Sequence, residues 1–340
     1  MKTIVLNEPG KFSMTDTPEP AQPGPGEALI KIHRVGICGT DLHAFRGKQP
    51  FFNYPRILGH ELGVEVVAVG AGVSNVKTGD KCCVQPYLTC GKCIACRRGR
   101  TNCCTSLQCL GVHTDGGMRE YIVLPVQYLH TSAKMTLEQL ALVETLCIGA
   151  HAVTRTKVEP QEHVLVIGAG PIGLSVMVFA KSAGAKVMVL DVAPNRLEFC
   201  KTQMQVDHAI NAKDGDPLEA LKKITDGDLC TAVFDATGNK ESMCKAFQFA
   251  SNGARVTYVG LGQFDVSFFD PDFHRKEITL NASRNATAAD FKHVMAQIES
   301  GKVNTTPWIT HRTANTEMIP QFEGWLDPAN GCIKAMVAWA

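Results

Sequence analysis

Hydrophobic patterning divides the chain into two textures. Up to about residue 130, short β-rich apolar segments at 28–35, 63–69 and 118–124 are broken by Gly and Pro, which predicts a barrel-like all-β unit. A helical stretch at 137–156 then leads into strand–helix alternation. Strands are predicted at 164–167, 187–191, 232–235 and 255–260, with helices at 172–183, 194–203 and 240–250. Such alternation predicts an α/β unit with a parallel sheet covered on both faces. After about residue 278 the texture changes again, with a helix predicted at 288–300 and a closing strand at 333–338. Pattern alone permits this tail to stay with the sheet. The Pro/Gly-rich piece 18–26 reads as a surface loop, and the chain has no internal repeat or low-complexity segment.

Length and composition narrow the partners. A chain of 340 residues is too long for one ordinary core and predicts two domains. Charged residues make up 20% with a formal net charge of +1, so no broad field attracts nucleic acid or an acidic membrane, and small-molecule partners are favoured. No stretch approaches the roughly 18 apolar residues of a membrane span, and a cytoplasmic location is expected. Fourteen cysteines without a secretory pattern read as metal ligands and buried thiols rather than disulfides. Cys82, Cys83, Cys103, Cys109, Cys147, Cys200, Cys230, Cys244 and Cys332 take the buried or incidental reading.

The predicted strand 164–167 runs straight into Gly168-Ala-Gly170-Pro171-Ile172-Gly173 and then a helix. The first glycine allows the tight turn, the second lets backbone N–H groups approach a pyrophosphate, and the third permits close helix–strand packing. Asp191 ends the next predicted strand, where a carboxylate can accept hydrogen bonds from a ribose hydroxyl and would repel a 2′-phosphate. NAD is therefore expected over NADP. Arg196 could reach a 2′-phosphate, but beside Asp191 it reads better as a solvated helix residue.

Cys90, Cys93, Cys96 and Cys104 have the spacing C-x2-C-x2-C-x7-C. Four thiolates on one short loop can close around a tetrahedral zinc with no open position, which makes a structural site. An iron–sulfur cluster competes, although the fourth cysteine is distant and is followed by Thr105 rather than proline. Adjacent Cys103 leaves the fourth ligand open by one position. Upstream, Cys38 in Gly36-Ile-Cys-Gly-Thr-Asp-Leu-His43 and the pair His60-Glu61 lie in glycine-flanked loops. Two or three mixed S, N and O ligands leave a coordination position for substrate, as a catalytic zinc needs.

These motifs, in this order, resemble the zinc-containing medium-chain alcohol and polyol dehydrogenases, and the resemblance covers essentially the whole chain. It implies a GroES-like β-barrel catalytic domain at 1–147 and 283–340, around a Rossmann NAD-binding domain at 148–282. It implies a catalytic zinc on Cys38 and His60, with Glu61 as ligand or exchangeable neighbour, and a structural zinc on the four-cysteine lobe. Glu144, in Val143-Glu144-Thr-Leu146, resembles the carboxylate ligand of the polyol branch, although threonine replaces that branch's proline. Its bland reading is a solvated helix residue.

The resemblance further implies that zinc acts as a Lewis acid on a substrate hydroxyl, that hydride passes to the nicotinamide, and that Thr40 and His43 relay the proton outward. Arg284 and Asn285, in Ala282-Ser-Arg284-Asn285, match the place where polyol members carry a substrate-side arginine. The stretches Asn53-Tyr-Pro-Arg56, Gly111-Val-His113-Thr-Asp-Gly-Gly117 and Ser283-Arg-Asn285 resemble those of bacterial members that oxidise hexonates such as L-galactonate. Oxidation of a secondary hydroxyl on a sugar acid or polyol is expected, in a homodimer or homotetramer. A threonine-type or simple secondary alcohol dehydrogenase is the competing enzyme. A zinc-stabilised NAD-binding regulator without turnover is the competing class.

Overall fold

The computed structural model describes residues 1–50 and 52–339. The chain separates into two compact units, Met1–Thr145 with Ala286–Ala340, and Leu146–Asn285. No helix among the described residues is long and apolar enough to cross a membrane.

The first unit is built on a seven-stranded sheet. Its path runs Ile309–Ala314, Lys334–Ala338, Glu27–Gly36, Glu61–Val69, Lys81–Val84 and Leu129–Thr131, with Tyr121–Pro125 added against Glu27–Gly36. Strand Glu27–Gly36 alternates along most of its length between buried and half-buried residues, as expected of a strand with one face on a core. Ile30, Ile32, Val64 and Val66 fill that core with Ile4 and Leu6 from the hairpin Lys2–Glu8/Lys11–Asp16 and with Trp325 and Trp339 from the returning tail. Full burial of each aliphatic side chain contributes about 1.5–3 kcal/mol.

The second unit is a six-stranded, all-parallel sheet. Its order is His208–Asn211, Lys186–Asp191, His163–Ile167, Cys230–Asp235, Ala250–Tyr258, Thr279–Ala282. Here the burial pattern differs in the way the topology requires. Residues 164–167 and 187–190 are buried without alternation, because helices cover both faces.

Elements that sequence patterning misses include the strands His208–Asn211, Thr279–Ala282 and Ile309–Ala314 and the helices Pro217–Ile224 and Asp270–Arg275. The two strands at the ends of the parallel sheet are four residues long, and neither holds a fully buried side chain. An edge strand has no continuous apolar run to announce it. The strand predicted at 118–124 forms instead at Tyr121–Pro125, and the helix predicted at 240–250 is α-helical only over Lys240–Lys245.

Candidate active site and metal centres

The antiparallel register of Glu27–Gly36 with Glu61–Val69 sets Gly36 opposite Glu61. Ile37 and Cys38 leave one strand end beside the point where His60 and Glu61 enter the other. Residues 22 apart in sequence therefore converge: the ligand atoms of Cys38, His60 and Glu61 all lie within 4.8 Å of one another. Cys38 is fixed as the N-cap of the helix Gly39–Phe45, where its own N–H donates to Asp41 Oδ2 at 2.9 Å. His60 and Glu61 are buried.

Glu61 is gripped by a residue that sequence reading passed over. Lys334 Nζ donates to Glu61 Oε1 at 2.6 Å, to Oε2 at 2.7 Å and to the Ile37 carbonyl at 3.1 Å. Strand Lys334–Ala338 lies on the other side of Glu27–Gly36 from Glu61–Val69, with Met336 opposite Gly36, which brings this lysine to the same strand end. Burial alone would raise the Glu61 carboxyl. The Lys334 ammonium and then His60 outweigh it and hold the group below its usual value. A lone lysine inside an otherwise apolar closing strand was the available signal.

Asp41 was also missed. It is fully buried, with Oδ1 3.9 Å from His60 Nδ1, and neither of those two atoms has a hydrogen-bond partner. Burial works against a charged His60, yet Asp41 and then Cys38 carry its pKa well above the ordinary histidine value. The pocket thus draws positive charge onto its own imidazole. A cysteine sulfur, an imidazole and a carboxylate converging in a buried setting are a donor set suited to a divalent cation such as zinc.

Glu144 stands outside this converging set. It is carried by the helix Leu137–Thr156, whose start is closed by a capping box between Thr136 and Gln139. The carboxylate is buried rather than solvated, and Glu144 Oε1 accepts a hydrogen bond from the Tyr87 hydroxyl. Burial raises its pKa, and His60 opposes that rise. Thr40 is half-buried on the helix Gly39–Phe45, and His43, one turn on, is exposed.

The sulfurs of Cys90, Cys93, Cys96 and Cys104 also lie within 4.8 Å of one another. Cys93–Cys96 and Cys90–Cys104 are each 3.5 Å apart, while Cys103 is exposed and outside the group. Backbone N–H groups aim inward: Cys90 N at Cys104 Sγ (3.3 Å), Cys93 N at Cys90 Sγ (3.4 Å) and Ser106 N at Cys104 Sγ (3.4 Å). Backbone donors pull the Cys93 thiol down to about 5, whereas desolvation and its neighbours push Cys96 up to about 12. Four sulfurs this close cannot all ionise unless a cation neutralises them, so the group fits a closed tetrathiolate metal site.

In the second unit, strand His163–Ile167 ends at Gly168, whose φ of 101° suits glycine, and Gly170 caps the helix Pro171–Ser182. A Cβ on Gly173 would collide with the Gly168 carbonyl, so the helix packs against the turn only because that position is bare. Asp191 braces the loop: Oδ2 accepts from Ala169 N at 2.6 Å, and Oδ1 from Val192 N and Ala193 N at 2.7 and 2.8 Å. Arg196, read as a solvated helix residue, is half-buried beside the loop; its Nη1 lies 3.3 Å from where a Cβ on Gly170 would stand. The bare backbone turn, the helix N-terminus and a terminal carboxylate fit a dinucleotide. Arg284 is exposed just beyond strand Thr279–Ala282, and Asn285 follows with φ 51°.

A GroES-like unit carrying an S, N, O cluster and a tetrathiolate lobe, together with a Rossmann unit, defines a zinc-binding dehydrogenase. Residues 24–134 match the alcohol dehydrogenase GroES-like domain and residues 171–300 the zinc-binding dehydrogenase domain. The chain belongs to the zinc-type alcohol dehydrogenase family and is an enzyme of that family. It is 42% identical over 313 residues to L-galactonate-5-dehydrogenase of Escherichia coli (strain K12), covering 92% of this chain and 91% of that one. It is 32% identical to the sorbitol dehydrogenase of Bacillus subtilis (strain 168), over 99% of this chain and 97% of that one. Among solved structures, it superposes with a TM-score of 0.92 on a short chain alcohol dehydrogenase (rspB) of Escherichia coli CFT073 complexed with NADH, at 30% identity over 100% and 99% of the two chains.

Proposed function

We propose that this enzyme oxidises a secondary hydroxyl of a sugar acid, a hexonate such as L-galactonate, to the ketone, with NAD as hydride acceptor and two zinc ions per chain. The observation that carries the substrate class is the 42% identity with L-galactonate-5-dehydrogenase over 92% of the chain. The reaction balances as secondary alcohol plus NAD⁺ to ketone, NADH and a proton.

Cys38, His60 and one carboxylate, Glu61 or Glu144, would hold the catalytic zinc; Cys90, Cys93, Cys96 and Cys104 would hold the structural one. When bound, the catalytic zinc supplies Lewis acidity that lowers the pKa of the substrate hydroxyl. Thr40 takes the hydroxyl proton and His43 passes it towards solvent. Partial desolvation of the ring, and then Arg46 and Lys48, keep the His43 imidazole below its ordinary pKa, so it releases such a proton readily near neutral pH. The loop Gly168 to Gly173 binds the pyrophosphate and Asp191 the adenosine ribose. Arg284 clamps the substrate carboxylate and Asn285 hydrogen-bonds a neighbouring hydroxyl. The working enzyme is a homodimer or homotetramer.

The test is NADH formation at 340 nm with hexonates, hexitols, pentitols, threonine and simple secondary alcohols, on protein of known zinc content. Turnover confined to hexonates, with Arg284→Ala raising KM far more for acids than for polyols, supports the reading. Preference for threonine or simple alcohols replaces the substrate class. Silence across the panel with two zincs bound removes the substrate class.

A further inference from the structure

We propose that Tyr87 is a positioning residue of the catalytic metal centre: it holds Glu144 by one carboxylate oxygen, leaving the other oxygen for the metal. The inference rests on the reading above only in so far as Cys38, His60 and Glu144 serve a metal; it does not depend on the substrate.

The geometry fixes the tyrosine independently of Glu144. Its backbone lies in the short strand Tyr87–Leu88, paired antiparallel with Gln108–Cys109 so that Tyr87 faces Cys109. The ring is buried and meets Phe291 edge-on at a centroid distance of 6.4 Å and 73°. Phe291 is itself fully buried and stacked on His130 at 5.1 Å. With the ring set by strand pairing and aromatic packing, its hydroxyl is delivered to Glu144 Oε1. A phenylalanine would fill the same wall, so the hydroxyl is there for its acceptor, since a buried O–H without one is costly.

The two acids near Cys38 and His60 are held in different ways. Lys334 engages both oxygens of Glu61 and cancels its charge. Tyr87 engages one oxygen of Glu144, Oε1. Tyr87 sets which oxygen Glu144 presents, in the way that outer hydrogen bonds orient metal ligands elsewhere.

The experiment compares full-length wild type, Tyr87→Phe, Glu144→Gln and the double variant. It reads zinc affinity by chelator competition, the visible spectrum after cobalt(II) substitution, the kcat pH profile and thermal unfolding. The Tyr87→Phe variant should bind the catalytic metal about 10-fold more weakly and alter the cobalt spectrum. The same change in the Glu144→Gln background should have no further effect. A loss of melting temperature with unchanged metal affinity and spectrum would reduce Tyr87 to packing and overturn the proposal. An equal effect with and without Glu144 would overturn it too. A Cys38→Ser variant reads the metal site itself: if it binds as much zinc as wild type, the metal reading and this proposal fall together. Inactivity on hexonates with the cobalt result intact removes only the substrate class.

Discussion

Lys334 and Glu61 form a closed ion pair in the first unit: Nζ reaches both carboxylate oxygens, at 2.6 and 2.7 Å, and each side chain is only 1% exposed. Removing one partner of such a pair leaves an unpaired buried charge, which costs about 3–5 kcal/mol, whereas replacing both is often close to neutral. Lys334→Met should therefore lower the urea midpoint sharply, and Lys334→Met with Glu61→Leu, which makes both positions apolar, should recover most of the loss. If the single variant unfolds at the wild-type midpoint, the pair does not hold the strand ends together.

Cys104 and Cys103 make a matched pair for testing the tetrathiolate lobe. Cys104 Sγ is 3.5 Å from Cys90 Sγ, and Cys103 is exposed. Cys104→Ser is expected to lose one zinc per chain by mass spectrometry of the metal and to melt earlier. Cys103→Ser should match wild type in both. The reverse pattern would move the fourth ligand to Cys103.

What the sequence made legible was local. The glycine loop and the four-cysteine spacing are short runs whose chemistry is written in consecutive residues, and the Gly-His-Glu motif announces itself the same way. Partners chosen by register were not legible. Lys334 is 273 residues from Glu61, and only the pairing of Gly36 with both Glu61 and Met336 brings the two together. The Tyr87–Glu144 contact spans 57 residues and depends on a two-residue strand that no periodicity reveals. The edge strand His208–Asn211 was invisible for a related reason: it is short, and it gains its place from parallel pairing with Lys186–Asp191.

Asp191 is expected to control both cofactor choice and loop shape, because it accepts from Ala169 N while it ends the strand. Asp191→Ala should raise KM for NAD by 10-fold or more and shift the NAD to NADP ratio of kcat/KM towards NADP by about as much, a change of about 1.4 kcal/mol or more. Steady-state kinetics with both cofactors read this directly. An unchanged NAD to NADP ratio would show that the carboxylate braces the loop without reading the ribose.

His130 is expected to make stability depend on pH. It stacks on Phe291 at 15°, its Nε2 lies 3.1 Å from Gln85 Oε1, and burial, with Lys292 adding to it, pushes its imidazole down to about 4. The unfolded histidine takes a proton near pH 6.5 and the folded one only near 4, so the unfolded chain binds more protons between those values. Stability is therefore complete above about 6.5 and falls as pH drops towards 4, by at most about 3.4 kcal/mol from this group. His130→Phe keeps an aromatic ring against Phe291 but cannot titrate. Its unfolding free energy should fall less than that of wild type between pH 7 and 5 in parallel urea titrations, and parallel slopes would show that the buried imidazole is not the acid-sensitive group.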